Sequence, residues 1–351
     1  MRNILITSAG GSAAHNFIDA LKIESIKTKI IGVDANKYKV ELSNADVFYT
    51  IPRVDSTHYI RSLNKIIRKE KINFLHAQAD DEVLAVSQNR NKIQTNIFLP
   101  DHKTILLARN KLACNIKLQS KSIPVPRSVI IRTKSDISTF ISHNKTAKYW
   151  LRAIEGAGSR ASIPIISAVQ AEMWIDYWKV MKHTGYGEFM LSEYLPGKDF
   201  AFQSVWHNGR LIVSQARERL EYVFGNLTVS GQSSSPSIAK TVQRDDVNII
   251  STNAVLAIDS NPHGIYCVDL KENERSIPCV TEINCGRFFT TSNFYAHAGV
   301  NMPYVYTCLA LGIQYPVYPQ YNPLPKDLYW IRTIDMGYKL LKKIPSKSKC
   351  L

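Results

Sequence analysis

Residues 264–291 read GIYCVDLKENERSIPCVTEINCGRFFTT, two apolar runs joined by a polar turn. Asp269 leaves the first run; Glu282 and Asn284 leave the second, with Arg287 just beyond. Paired as adjacent antiparallel strands, these runs bring two carboxylates and an amide to one end of a hairpin. Such a nest of hard oxygen donors suits Mg²⁺ and, through it, the phosphates of a nucleotide. Arg287 is then placed to hold a transferring phosphoryl group or an acyl phosphate. A plain solvent-exposed acidic hairpin is the weaker reading, because Glu282 and Asn284 sit between apolar residues.

Working upstream, GEFMLSEYLPG, KDFAFQSVWHNG and RLIVSQARERL form three strand-like runs from residue 187, with residues 207–209 as a turn. Arg217 and Arg219 alternate on the last run and share one face. They face either an acceptor carboxylate and its intermediate or surface ion pairs. GNLTVSGQSSSPS (225–237) reads as a mobile loop, and DDVNIISTNAVLAIDS (245–260) as a helix. In WLRAIEGAGSR (150–160) a strand cation, Arg152, precedes a glycine turn. A cation there reaches a phosphate from the side, and glycine lets backbone N–H groups close over it; a structural turn is the bland alternative. A helix begins near Leu107 and runs through ARNKLACNIKLQSK until the two prolines of SIPVPRSVIIR break it.

The first hundred residues alternate strand-like and helical runs: RNILITSA, HNFIDALKIE, KIIGVDAN, HYIRSLNKIIRKEK, INFLHAQAD. That rhythm implies a parallel sheet with right-handed crossovers. Ligands of such sheets bind at the carboxyl ends of the strands. Ser8–Ser12 lacks the spacing of a dinucleotide fingerprint, although its backbone could face an anion. Asp34 and Asp80–Glu82 face a polar substrate or, for Asp80 and Asp81, cap a helix.

The 351 residues give room for two or three lobes, and 45% hydrophobic with 10% aromatic content is ordinary for a folded chain. No apolar run approaches the roughly 20 residues that span a bilayer. The N-terminus is broken by glycine too early for a signal peptide, which sets a cytoplasmic expectation. The six cysteines show no CxxC pair or zinc spacing and read as reduced, buried thiols. Cys285 lies inside the proposed site, with no nearby His to activate it. The net charge of +15 is scattered over helical stretches, as solvated faces are, so nucleic-acid binding is disfavoured. MGYKLLKKIPSKSKCL (336–351) reads as a short amphipathic helix and a frayed basic tail.

Taken in order, these stretches resemble the ATP-grasp superfamily, in its carbamoyl-phosphate-synthetase-like branch, over roughly residues 1–315. The resemblance implies α/β and α+β architecture: an N-terminal parallel-sheet pre-ATP-grasp domain followed by a two-lobed ATP-grasp fold. Its boundaries fall at 1–107, at 108–187 for the small lobe and at 188–315 for the large lobe with the metal site. Residues 316–351 are left as a basic appendage. It further implies that Lys111 and Arg152 hold nucleotide phosphates under a loop of Gly156, Gly158 and Ser159. Glu193 and Tyr194 read the adenine edge, Leu195 lines the purine pocket, and Asp199 accepts ribose hydroxyls. Asp269 and Glu282 bridge one or two Mg²⁺ ions, or Mn²⁺ in their place, and Asn284 completes the shell. The commoner family pattern is E-x-N-P-R; here Cys285-Gly286 moves the arginine one residue further from Glu282.

The implied activity is a Mg²⁺-ATP-dependent ligase, with Arg217, Arg219 and Arg287 as catalytic cations. A small-molecule carboxylate is activated as an acyl phosphate and captured by an amine or similar nucleophile, releasing ADP and phosphate. Competing expectations are a carboxylate or carbamate phosphotransferase and a nucleotide-binding regulator with little turnover. One grasp unit without a second copy disfavours a complete carbamoyl-phosphate synthetase. The acceptor pocket is expected from the N-terminal domain, the 225–237 loop, Thr290, Thr291 and Asn293. A homodimer is compatible with the chain.

Overall fold

A computed structural model describes residues 2–24, 28–156, 161–233, 235–333 and 338–342. Strands β1 (Arg2–Ile6), β2 (Thr28–Asp34), β3 (Val47–Thr50), β4 (Phe74–His76) and β5 (Asn96–Ile97) form a parallel sheet in the order β3-β2-β1-β4-β5. Helices α1 (Ser12–Ile23), α2 (Tyr59–Lys69) and α3 (Asp80–Gln88) belong to this domain. In α2, Tyr59, Leu63, Ile66 and Ile67 are buried at helical spacing. Arg61, Lys65, Arg68 and Lys69 stay exposed, the solvated basic face read from the sequence.

The helix expected from Leu107 is two helices, α4 (His102–Arg109) and α5 (Lys111–Gln119). Asn110 leaves helical geometry between them, and its side chain accepts from the Ala113 N–H at 2.8 Å as an N-cap. The domain boundary at 107 therefore falls inside α4. The break matters for the site because it makes Lys111 the first residue of a helix.

Strands β6 (Ser128–Ile131), β7 (Tyr149–Ala153), β8 (Ile163–Ile165) and β9 (Phe189–Glu193) make a small antiparallel sheet, order β6-β9-β7-β8. It carries α6 (Lys134–His143) and α7 (Ala168–Lys182) and has its own core around Ile131, Leu151, Ile175 and Leu191. The large sheet comprises β10 (Asp199–His207), β11 (Arg210–Tyr222), β12 (Pro236–Thr241), β13 (Gly264–Glu272), β14 (Pro278–Cys285), β15 (Tyr329–Arg332) and β16 (Tyr338–Leu341). Their order is β14-β13-β10-β11-β12-β15-β16. Helices α8 (Asp245–Ile258), α9 (Asn293–His297) and α10 (Met302–Leu311) complete the lobe. The β10–β11 turn holds Asn208 and Gly209 at φ of 49° and 79°, the pair of positive values a tight two-residue hairpin needs.

Two boundaries differ from expectation. The run after residue 187 opens with β9, which pairs with β6 and β7 and so closes the small sheet rather than starting the large one. Hairpin-like spacing with β10 was misleading, because Pro196-Gly197 carries the chain between sheets. Residues 316–351 are not simply an appendage: β15 pairs with β12, and Leu324 and Trp330 are buried in the large-lobe core. Residues 338–341 form strand β16 against β15 instead of an amphipathic helix, and residues 343–351 lie outside the described part.

The N-terminal domain and the large lobe share two cores. One joins Phe17, Ile18 and Phe74 to Phe288, Met302 and Tyr306; the other joins Leu75, Val83 and Leu99 to Val268 and Ile283. No helix among the described residues is long and apolar enough to cross a membrane.

Candidate active site

Strand register explains how residues distant in sequence come together. Asp269 lies opposite Glu282 on β14 and opposite Ala201 on β10, while Ala201 lies opposite Arg217 on β11. Asp199 is likewise opposite Arg219 and Lys271. Cross-strand partners share a face, as do residues two apart on one strand. Asp199, Arg217, Arg219, Asp269, Lys271, Glu282 and Asn284 therefore line one side of the large sheet. The polar set runs along the strand face rather than at the hairpin end, because pairing continues past Asp269 to Glu272. The register slips after Asp269, leaving Thr281 without a Cα partner. Arg152, from β7 of the small lobe, donates through Nη2 to the Thr281 carbonyl at 2.7 Å.

A cavity of about 530 Å³ lies between this face and the small lobe. Every candidate site residue within the described part lines it: Lys111, Arg152, Gly156, Glu193, Tyr194, Leu195, Asp199, Arg217, Arg219, Asp269, Glu282, Asn284 and Arg287. Gly158 and Ser159 lie outside the described residues. Lys111 Nζ donates to the Gly156 carbonyl at 2.6 Å and stands 3.7 Å from Glu282. Burial pulls its pKa down, and Glu282 pulls the other way. Gly156 has φ +101°, which a side chain would strain, and so turns that carbonyl toward the lysine.

The acids and cations are unevenly matched. Arg219 pairs closely with Asp269 and stands 3.5 Å from Asp199. Asp199 also accepts from the Tyr222 hydroxyl at 2.7 Å and from Gln232 at 3.5 Å. Burial pushes the Asp269 pKa up to about 6, with Arg219 opposing. Arg217 has no carboxylate in ion-pair range among the described residues; it donates to Thr291 and stacks 4.7 Å over the Phe289 ring. Arg152, Arg217 and Arg219 each keep a buried Nε–H without a hydrogen-bond partner among the described residues. An orphaned buried donor costs about 1–3 kcal/mol, so this wall is suited to an anion.

The same test applies to a metal. No three His, Cys, Asp or Glu side chains cluster among the described residues. The oxygen set is two carboxylates and the Asn284 amide. That set fits Mg²⁺, which is commonly held by one or two carboxylates together with waters and substrate phosphates. Asn284 Nδ2 approaches Asp269 at 3.4 Å, and its Oδ1 accepts from Arg287 Nη2 at 2.9 Å.

Arg287 is held differently from the expectation. Asp80, the first residue of α3, takes both Nε and Nη2 of its guanidinium, so the side chain lies in a fork between Asp80 and Asn284. The extra residue before it is absorbed by Gly286 at φ +87°, where an added Cβ would come within 2.7 Å of Val83 on α3. Asp80 does not act as the cap of α3, whose N-cap is Ala79; Asp81 pairs with Arg109 at 2.9 Å. Glu193 is also differently engaged, since Arg127 takes its carboxylate through both its backbone N–H and Nε.

Of the expected acceptor residues, Thr290 lines the cavity and Thr291 supports Arg217, whereas Asn293 turns to Asp19 at 2.9 Å. Ser8 does not present a free loop: with Thr7 and Tyr59 it hydrogen-bonds the buried Glu82, whose pKa burial raises. Asp34 accepts from the Gly10 and Asn36 N–H groups. Cys285 is buried, and burial pushes its thiol pKa up, which removes a thiolate nucleophile. Sequence reasoning missed Trp150, Tyr222, Lys271 and Phe289 in the cavity wall. Alternation could have found Trp150 and Lys271, each two residues from a named candidate on the same strand.

Residues 4–98 match the family model described as PylC-like, N-terminal domain. A comparison with curated protein sequences gives no match. Among solved structures, the chain is similar to carboxyaminoimidazole ribonucleotide synthase from Aspergillus clavatus complexed with ATP, at TM-score 0.70 and 13% identity, covering 94% of this chain and 81% of that one. It is similar to the biotin carboxylase–β,γ-ATP complex from Campylobacter jejuni at TM-score 0.72 and 13% identity, covering 94% and 74%. L-amino acid ligase from Bacillus licheniformis matches at TM-score 0.67 and 12% identity, covering 89% and 74%. At such identities the likeness is one of fold.

Proposed function

We propose that this chain, whose fold is that of the ATP-grasp enzymes, is a Mg²⁺-ATP-dependent ligase joining a small carboxylate to an amine. The observation that carries the reading is one cavity lined by two unlike sets of groups. Buried cations with unused donors, Arg152, Arg217 and Arg219, form one, and the Asp269–Glu282–Asn284 oxygen set forms the other. A polyanion with a divalent cation satisfies both at once. The solved relatives crystallised with ATP or its analogue share this fold, which supports the same ligand here.

Lys111 and Arg152 approach the cavity from α5 and the small lobe and would hold phosphate oxygens. Asp269, Glu282 and Asn284 would hold Mg²⁺, which supplies neutralising charge to the phosphates during transfer. Arg217 and Arg287 would orient the acceptor carboxylate and stabilise charge on the transferring group. A carboxylate oxygen attacks the γ-phosphorus, the bond to ADP breaks, and an acyl phosphate forms. The amine then attacks the acyl carbon, phosphate leaves with the bonding pair, and the amine loses a proton. Neither step needs a nucleophilic side chain, in keeping with the buried, protonated Cys285. The two lobes exclude water from the acyl phosphate.

A panel of carboxylates, each with and without amines, tests this by ADP release. Release that requires both substrates, with one phosphate freed per ADP, is the expected result. ADP formation independent of any amine would instead establish a phosphotransferase.

A further inference from the structure

We infer that Asp80, in the N-terminal domain, is a positioning residue for the divalent-cation site of the large lobe, clamping Arg287 so that this guanidinium stays off the Glu282 carboxylate. The inference rests on the reading of Asp269, Glu282 and Asn284 as the metal-holding set. Asp80 opens α3 and takes Nε and Nη2 of Arg287, the second at 3.1 Å. The same Nη2 also donates to Asn284 Oδ1 at 2.9 Å. A carboxylate, a guanidinium and an amide of the metal set form one chain across two domains.

Each link orients the next. A guanidinium carries donors only, so the amide atom that meets it must be the oxygen, and that oxygen keeps a second lone pair for a cation. The two-point grip of Asp80 fixes the plane of the guanidinium. Asp80 is itself firmly placed, because Val83 of α3 shares a core with Ile283 of β14. Val83 also lies against Gly286, where an added Cβ would come within 2.7 Å of it. Negative charge in the first turn of a helix is favoured by the helix dipole.

Charge shows what the clamp prevents. Arg287 and Glu282 line the same main cavity. Burial disfavours the Arg287 charge, yet Asp80, and more weakly Glu282, hold its pKa above the ordinary value. Without Asp80, Glu282 is the next carboxylate that Arg287 feels. There is room for the move: a second cavity of about 300 Å³, lined by Asp80, shares Lys111, Gly156, Glu282 and Asn284 with the main one. A released guanidinium that pairs with Glu282 takes an oxygen from the metal and sets a positive charge beside it. Asp81 supplies the contrast. It stands at the same helix start but pairs with Arg109 at 2.9 Å.

Paramagnetic titration of the full chain with Mn²⁺, without nucleotide, tests the inference. Asp80→Asn should weaken Mn²⁺ binding by about fivefold or more, whereas Asp81→Asn, with the same charge change, should alter it by under about twofold. Removing Arg287 as well should restore affinity: Asp80→Asn/Arg287→Met should bind about threefold or more tightly than Asp80→Asn alone. Circular dichroism and urea unfolding check the fold of each variant. Asp80→Ser replaces an Asn variant that does not fold, and Arg287→Gln replaces a Met variant that does not. A folded Asp80 variant that binds like the wild type overturns the proposal, as does an equal loss in Asp81→Asn. A double variant as weak as the single one also overturns it, since a purely structural Asp80 is not rescued by losing Arg287. Wild type that binds no Mn²⁺ would instead bring down the metal reading, and this inference with it.

Discussion

Arg219 occupies a position of tension, close to Asp269 and 3.5 Å from Asp199, with its Nε–H unused. It neutralises an acid that a divalent cation would otherwise claim. Arg219→Met should therefore strengthen binding of free Mn²⁺, without nucleotide, by tenfold or more, about 1.4 kcal/mol. Electron paramagnetic titration checks this, and equal or weaker affinity would show that Arg219 does not compete with the metal. Asp269, Glu282, Arg217 and Arg219 were legible because alternation on a strand fixes which side chains share a face. Asp80 was only half legible. Its acidic neighbours at a helix start suggest capping, and a clamp on a residue 207 positions away leaves no local trace. The same is true of Arg127, which removes the Glu193 carboxylate from the expected adenine contact.

At the scale of elements, the turn after β14 sets where the Arg287 guanidinium points. Gly286→Ala would combine a strained φ of +87° with a Cβ 2.7 Å from Val83. We expect a loss of about 1–3 kcal/mol in urea unfolding, the usual cost of strained backbone, with weakened function through displaced Arg287. An unchanged midpoint would show that α3 yields freely. The parallel sheet and the β13–β14 hairpin were readable from alternating apolar runs and polar turns. The membership of β9 was not, since local spacing cannot tell a strand that continues into the next hairpin from one that pairs backward. Nor was the α4–α5 break, where Asn110 caps a second helix inside one continuous helical pattern. Strand β15 was hidden because its partner, β12, is about ninety residues earlier, and β16 because it pairs in turn on β15.

At the scale of the molecule, the N-terminal domain and large lobe are bound by shared cores, and His76 lies in one of their seams. It stacks on Phe17 at 4.1 Å and its Nε2 donates to Gln78, whose own amide donates to the Phe288 carbonyl. Burial lowers its pKa from 6.5 to about 4. A depressed folded-state value means the stability is present above pH 6.5 and is lost as pH falls through 6.5 toward 4. The full shift corresponds to roughly 3 kcal/mol. Denaturant unfolding between pH 7 and 4 should show that loss, and His76→Gln should flatten it; an equal slope in the variant would assign the acid sensitivity elsewhere. The proposed function requires that the two lobes form one metal-dependent nucleotide site. Calorimetric titration of a non-hydrolysable ATP analogue, with and without Mg²⁺, on wild type and Glu282→Gln tests it most directly. We predict Mg²⁺-dependent binding by the wild type, weakened at least tenfold in a folded Glu282→Gln, about 1.4 kcal/mol. Absence of binding by folded wild type, or identical metal-dependent binding by the variant, would contradict the assignment.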